Sequence, residues 1–450
     1  MRFKSTWILL VITVAIVAYF LLVEQPRHRQ ERESAELATQ LTALKRENIQ
    51  HVILRRAAET LEFTKQGDDW QVAFPVSDKG EDSAINMLVS SAVDAKIERT
   101  FAVSDEDLPG FGLGEQPDAI LVLQTSNRDT SLTIRIGGHN ITKSHFYAQK
   151  DTAADVLLLP AGLRRYALWE LSEFRDKDVI DFVTENVQKL ELASIGRVLT
   201  WEKDTENQWV AVSNGDTIRG DDSEITVILR RMRALKAKEF VSDDPAEFET
   251  YFPGDNKTIA LWLGPERARQ SVIFGDKKPD SCFVKLDASD RIVLIDPDIL
   301  DVFDKTYNDL RDRHLLRFDR GELFMITLET PDTTAKIIRA GAEWAFANPK
   351  LGSILQTSMN LLLYKLEGLK FTNVLEERLI DPKSHGFSNP SFQVTLFDWH
   401  ENIIDRFVCG DESSSIGTRT TTSRSSSVLA EIEQSTLDDL KKAFQDIKKK

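Results

Sequence analysis

The chain has 450 residues, of which 41% are hydrophobic and 29% charged, with a formal net charge of −15. That length exceeds what one core supports, since single hydrophobic cores stop growing near ~250–300 residues, so about three domains of a folded rather than disordered protein are expected. The acidic balance repels phosphate backbones and anionic head groups, so no nucleic-acid partner is expected.

Residues 7–23, WILLVITVAIVAYFLLV, carry no charge and only Thr13 as a polar interruption. At 1.5 Å per residue they cover roughly 25 Å, within the usual range of a spanning helix. A cleaved signal peptide has an apolar region of ~7–15 residues ending at a small-x-small site. Here the run ends in Leu21-Leu22-Val23 and continues Glu24-Gln25-Pro26, so an uncleaved anchor is expected. The organisation is then a short tail (1–6), a transmembrane anchor in the lipid bilayer (7–23) and a juxtamembrane linker (24–46). Cations flank both ends, Arg2 and Lys4 before and Arg27, Arg29 and Arg32 after, so charge does not set the orientation. A short retained tail and the indifference of long domains to charge favour a body outside the cytoplasm. In the linker, Leu37, Leu41 and Leu44 draw a thin stripe on a helix, with a solvated spacer as the plainer reading.

Beyond the linker the chain repeats itself. ENIQHVIL (47–54) returns as ENVQKLEL (185–192) and more faintly as GELFMITL (321–328), and Trp70, Trp209 and Trp344 share one slot in an alternating segment. Alternation such as Leu61, Phe63, then Trp70, Val72, Phe74 around Gly67-Asp68 predicts a hairpin, so each repeat opens with an antiparallel meander. A helix follows. Ile85, Leu88, Val89, Ala92 and Ile97 form its apolar face after Asp82-Ser83, matched by Ile225, Ile228, Leu229, Met232 and Leu235 after Asp222-Ser223. In the third copy Leu355, Met359, Leu362, Leu366 and Leu369 keep the period after Gly352-Ser353.

Next comes a loop, FGLGEQP (111–117), answered by HGFSNP (385–390); the second copy, YFPGDN (251–256), lacks the pattern. Strands resume at 119–124, 258–263 and 392–397 and reach an apolar-Gly pair in each copy: Ile136-Gly137, Phe274-Gly275 and Cys409-Gly410. VLLLP (156–160) and IVLIDP (292–297) lead into a closing helix, and EFRDKDVIDF (173–182) and DLRDRHLLRF (309–318) then mark the passage into the next unit. There Arg175 and Asp176 are placed to pair across the turn, and Phe182 or Phe318 to plug the seam. In the third copy GTRTTTSRSSS (417–427) reads as a loop or a solvated edge strand. A period of roughly 136 residues lies far above the 20–50 of solenoids, so the expectation is an α+β protein of three tandem repeats, 47–182, 183–318 and 319–450. Each comprises a meander, a helix, further strands and a closing helix.

The anchor, the Trp-containing strands, the FGL…P loop, the glycine hairpin and the LRD…LLRF joint together resemble the bacterial family of domain of unknown function 4340, over nearly all of residues 48–450. The resemblance implies a membrane-anchored extracytoplasmic protein of the bacterial inner membrane with its body in the periplasm. It also implies an auxiliary role beside gliding-motility-type ABC transporter permease or auxiliary subunits. It implies no catalytic residue. The second copy departs in its loop and the third in its Ser/Thr tract.

The motifs that could carry chemistry read better as structure. GGHNITKS (137–144) approaches a phosphate-cradling loop, but Thr142 stands at the second glycine and no helix is expected to follow. GFGLG (110–114) follows a helix and precedes a strand, the reverse of a dinucleotide loop. No histidine, His385 included, has metal-ligand spacing, and Cys282 and Cys409 lie far apart, so neither zinc nor a disulfide is expected. Of the acidic pairs Glu81-Asp82, Asp221-Asp222 and Asp243-Asp244, two fall at helix starts, where the dipole favours negative charge. Trp169, Trp201, Trp262 and Trp399 could line a glycan platform, but three lie in strand patterns expected to face a core. No catalytic, cofactor-binding or metal-ligating residue is assigned, and no cofactor. A non-enzymatic accessory protein is expected, with a periplasmic binding module for an envelope glycan or lipid as the alternative.

Overall fold

A computed structural model describes residues 39–126, 131–213, 215–377, 385–413, 415, 417–426 and 428–448. The expected anchor at 7–23 and most of the linker lie outside the described residues. Among the described residues no helix is long and apolar enough to cross a membrane. The strands form three antiparallel sheets of eight or nine strands, each accompanied by helices, so the protein is α+β. The chain divides into two compact units: residues up to Asp178 with Lys236–Asp243, and Val179–Leu235 with Asp244–Lys450.

The first unit opens with the meander β1 (Ile49–Arg55), β2 (Thr60–Gln66), β3 (Asp69–Phe74) and β4 (Asp78–Lys79). Helix α1 (Asp82–Val93) and β5 (Arg99–Phe101) follow, then β6 (Ala119–Thr125), β7 (Ser131–His139), β8 (His145–Lys150) and β9 (Val156–Pro160). The sheet order is β4-β3-β2-β1-β6-β7-β8-β9-β5, so the strand after the helix closes the far edge. Alternation dictates burial: Leu61, Phe63, Trp70 and Val72 face inward, and Ile85, Leu88, Val89 and Ala92 of α1 cover them in one core. Ile97 lies past the helix end and only flanks that core. The closing helix is two pieces, α2 (Ala161–Ala167) and α3 (Leu171–Phe174).

In the second unit β10 (Val187–Ser194), β11 (Arg197–Lys203), β12 (Trp209–Ser213), β13 (Asp216–Arg219) and α4 (Asp222–Arg233) repeat the pattern. The strand β14 (Glu239–Ser242) belongs to the first unit. After the short helix α5 (Phe248–Tyr251), β15 (Lys257–Leu263), β16 (Ala268–Lys277), β17 (Cys282–Leu286) and β18 (Ile292–Ile295) complete the sheet run β13-β12-β11-β10-β15-β16-β17-β18. Here the expected closing helix is a 3-10 run, Pro297–Asp304, followed by α6 (Tyr307–Leu310).

The same unit carries the third sheet. Its strands are β19 (Met325–Thr330), β20 (Thr333–Ala340), β21 (Glu343–Phe346), β22 (Asn373–Glu376), β23 (Phe392–Phe397), β24 (Ile403–Glu412), β25 (Thr418–Ser423) and β26 (Leu429–Glu433). Helix α7 (Gln356–Glu367) precedes β22, and α8 (Gln434–Gln445) is one continuous closing helix.

The repeated tryptophan slot is real, and its reason is polar as well as apolar. Trp70 donates its backbone N–H to Asp82 Oδ1 (2.7 Å) and its indole N–H to Asn86 Oδ1 (2.9 Å). In the third sheet Gln356 takes the same part, accepting from the Trp344 N–H and donating to its carbonyl, both at 2.9 Å. The first and third meanders are thereby pinned to the start of their helices.

Several expectations are corrected. From Gln40 to Lys45 the linker is neither a helix nor a solvated spacer: Gln40 bridges Lys96, Leu41 is fully buried and Leu44 lies against the first core. The helix starts differ too. Asp82 is inside α1 and spends its carboxylate on Trp70; Asp221, not Asp222, caps α4, accepting from Ser223 and Glu224; Leu355 is itself the cap residue of α7 and exposed. The tract 417–427 holds β25, an interior strand paired with β24 and β26, in which Thr420, Thr421 and Ser423 are buried. Their hydroxyls are satisfied locally, as when Thr421 donates to the Val408 carbonyl (3.0 Å), which is how a polar strand tolerates an interior position.

Candidate functional site

The motifs that raised chemical possibilities resolve into loops and caps. GGHNITKS is the β7–β8 hairpin, with Asn140, Thr142 and Ser144 bonded to one another and no helix after it. GFGLG ends a 3-10 run at Gly112, whose left-handed conformation (φ 71°) brings the loop onto β7. A Cβ on Gly137 would lie 2.4 Å from the Phe111 carbonyl oxygen, on Gly275 2.3 Å from that of Tyr251, and on Gly410 2.0 Å from that of His385. The apolar-Gly pairs are therefore seats for a loop carbonyl. The second copy keeps the seat although its loop, YFPGDN, lacks the glycine pattern. His385 contributes its backbone, accepting from the Thr420 hydroxyl at 3.1 Å.

The tryptophans do not form one platform. Trp201 alone of the four is a fully buried strand residue; Trp262 is half-buried on β15 beneath Lys189 (4.1 Å). Trp169 lies between α2 and α3 against Tyr166, and Trp399 sits exposed in the β23–β24 connection. Only two are in strands, which corrects the count of three. All three acidic pairs are at helix starts, Asp244 capping a 3-10 turn. Cys282 and Cys409 are buried and are not joined in a disulfide, and burial pushes the Cys409 thiol up. Among the described residues no group of three His, Cys, Asp or Glu could hold a metal ion.

Buried charge concentrates instead at the two joints. The segment around Arg175 is extended, with single bridges rather than a strand: Arg175 bridges Gly80, Asp178 bridges Lys236, and β10 starts only at Val187. Arg175 does not pair with Asp176. Its Nε and Nη2 clasp Asp78 Oδ2 (both 2.8 Å), its Nη1 and Nη2 clasp Asp243 (2.7 and 2.6 Å), and its guanidinium covers the Phe240 ring at 4.1 Å. The side chain is 3% exposed. Burial lowers the guanidinium's proton affinity, but the hydrogen bonds to Asp243 and Asp78 outweigh it and hold the pKa above the ordinary value. Two carboxylates on one planar fork suit Arg and not Lys. Asp176 turns to Lys79, whose Nζ is 3.0 Å away.

Arg311 repeats the arrangement within the second unit. It bridges Gly220, clasps Glu377 with Nη1 and Nη2 (3.0 Å each), reaches Asn308 (3.2 Å) and lies over Phe371 at 5.6 Å. Asp312 receives the His314 imidazole and backbone, Arg317 at 3.0 Å and Arg219 at 3.9 Å. Phe318, expected to plug a seam, lies against the third core together with Leu315 and Leu316.

Burial raises the Asp312 pKa, but the hydrogen bonds from His314 and the charge of Arg317 overcome it and hold the carboxyl at about 2, below its ordinary 3.8. A depressed carboxyl stabilises the fold above its unfolded value, so this contribution is present above pH 4 and is lost as pH falls through 2. With partial solvent screening it amounts to about 1–2 kcal/mol. Asp312→Asn is expected to be less stable than wild type at pH 6 and nearly equal to it at pH 2, checked by urea unfolding across that range.

A separate groove of about 690 Å³ on the second sheet's module is bordered by Arg231, Lys257, Asp276, Asp298, Asp301 and Asp304. It is polar and open.

Repeated sheets of eight or nine strands, tryptophans pinned in the first and third, and arginine-clasped joints define a class: a tandem α+β scaffold whose buried charges fasten segments to one another. The model of the family described as domain of unknown function (DUF4340) matches residues 70–248 and again 209–390, and the chain belongs to this family. The matches begin at Trp70 and Trp209, and each encloses one arginine joint. No curated protein matches the chain.

Proposed function

We propose that the protein is a non-enzymatic accessory subunit of the bacterial envelope, held in the inner membrane by residues 7–23 with its body in the periplasm. In this reading it serves a gliding-motility-type ABC transport complex through contacts with permease or auxiliary subunits. The observation that carries the reading is the use of buried charge: Arg175 and Arg311 each spend a guanidinium on carboxylates far away in the chain. Such clasps fix geometry, which is what an adaptor needs, whereas a reactive site keeps a charged group open to substrate. Mild crosslinking of intact membranes followed by purification tests the proposal. Recovery with transporter subunits is expected; recovery without any envelope or transporter partner would refute it.

The acidic groove bordered by Asp276, Asp298, Asp301 and Asp304 favours one second reading, a binding module for an envelope polymer. Its polarity suits a hydroxyl-rich glycan better than a lipid. Pull-down on cell-wall glycan with an Asp298→Asn, Asp301→Asn control distinguishes this from adaptor function.

A further inference from the structure

The two arginine joints differ by one carboxylate. In the first sheet β4 pairs with β3 as Gln71↔Lys79 and Val72↔Asp78; in the second, β13 pairs with β12 as Val210↔Arg219 and Ala211↔Ile218. With Trp70 and Trp209 as the common reference, Lys79 corresponds to Arg219 and Asp78 to Ile218. Backbone bonds agree: Asp176 N–H donates to Lys79 O and Asp312 N–H to Arg219 O. Asp78 serves the Nε edge of Arg175. Ile218 cannot serve Arg311, and among the described residues Arg311 Nε is buried without a hydrogen-bond partner, on a side chain only 5% exposed.

Beside that guanidinium is a cavity of about 110 Å³, lined among others by Thr217, Arg219, Arg311, Arg317, Ser425 and Glu377. Three guanidinium groups against the carboxylates of Asp312 and Glu377 leave the lining with an excess of one positive charge. Burying an unpaired donor of a charged group is costly, and a guanidinium edge matches the geometry of a carboxylate or phosphate oxygen pair.

We infer that the joint of the second unit is a binding site for a small oxyanion, which supplies the acceptor that Asp78 supplies in the first. The ligand class is a carboxylate or inorganic phosphate of a size fitting the cavity, met by Arg311, Arg219 and Arg317 and by the hydroxyls of Thr217 and Ser425. The site does not depend on the adaptor reading.

Titration calorimetry on the full chain in detergent, with sodium phosphate and sodium acetate as probes and sodium chloride at matched ionic strength as reference, tests it. Saturable binding of either oxyanion beyond the chloride response is expected, and the tighter of the two identifies the ligand as phosphate or carboxylate. Ile218→Asp, which restores the missing carboxylate, is expected to weaken that binding at least tenfold and to raise the unfolding midpoint measured without added oxyanion. Arg311→Lys, which keeps the charge but removes Nε, is a second variant and is expected to weaken binding as well. Absence of saturable binding to wild type, or unchanged binding by folded Ile218→Asp, overturns the inference.

Discussion

Arg175→Ala is expected to cost about 3–5 kcal/mol of folding stability, the magnitude typical of breaking a buried ion pair from one side. The loss has two parts. The aliphatic and planar surface over Phe240 disappears, and the carboxylates of Asp78 and Asp243 keep their charges without the fork that answered both. Arg175→Lys keeps one charge but can no longer bind both carboxylates in parallel, so an intermediate loss is expected. Arg311→Ala strands one carboxylate, Glu377, rather than two, and its loss should be smaller than that of Arg175→Ala. Urea unfolding of the variants checks the order, read from the transition of the unit that carries each joint. Equal losses at the two arginines would contradict the one-carboxylate difference between them.

Gly410→Ala is expected to destabilise by about 3 kcal/mol or more, at or beyond the upper end of ordinary overpacking. The added Cβ would meet the His385 carbonyl oxygen at 2.0 Å, and a backbone carbonyl held by the Thr420 hydroxyl cannot swing aside as a side chain would. Gly275→Ala should behave alike, because the Tyr251 carbonyl oxygen stands 2.3 Å from the corresponding position. Gly67→Ala is the contrast. Nothing lies within 4 Å of its added Cβ, and the cost there is only the left-handed backbone at φ 65°, about 1 kcal/mol. Thermal unfolding of the three variants decides whether the glycines of β16 and β24 are carbonyl seats or merely flexible points.

These glycines mark the line between local and tertiary information. Their recurrence at 137, 275 and 410 is visible in the letters, because a repeat preserves spacing. Its cause is not, because the carbonyl that forbids a side chain comes from a loop 25 residues or so away and, in the second copy, from a loop whose own letters differ. A backbone atom leaves no signature in the residue that carries it. The Ser/Thr strand β25 misleads for a related reason. Polarity reads as exposure until the neighbouring strands that accept its hydroxyls are known.

The alternation of the meanders, the apolar face of α1, α4 and α7 and the recurrence of Trp70, Trp209 and Trp344 were determined by the sequence itself. These are periodicities of 2 and 3.6 residues, which depend only on backbone geometry and the need to bury one face. The tertiary structure alone decided the partners of Arg175 and Arg311, the ordered course of Gln40 to Leu44 and the orphaned edge of Arg311. Each depends on residues distant in the chain, such as Asp243 and Glu377, meeting in a buried place where an unpaired charge is too costly to persist. Neighbouring letters, Asp176 beside Arg175 above all, offered a pairing that the fold replaced with a better one.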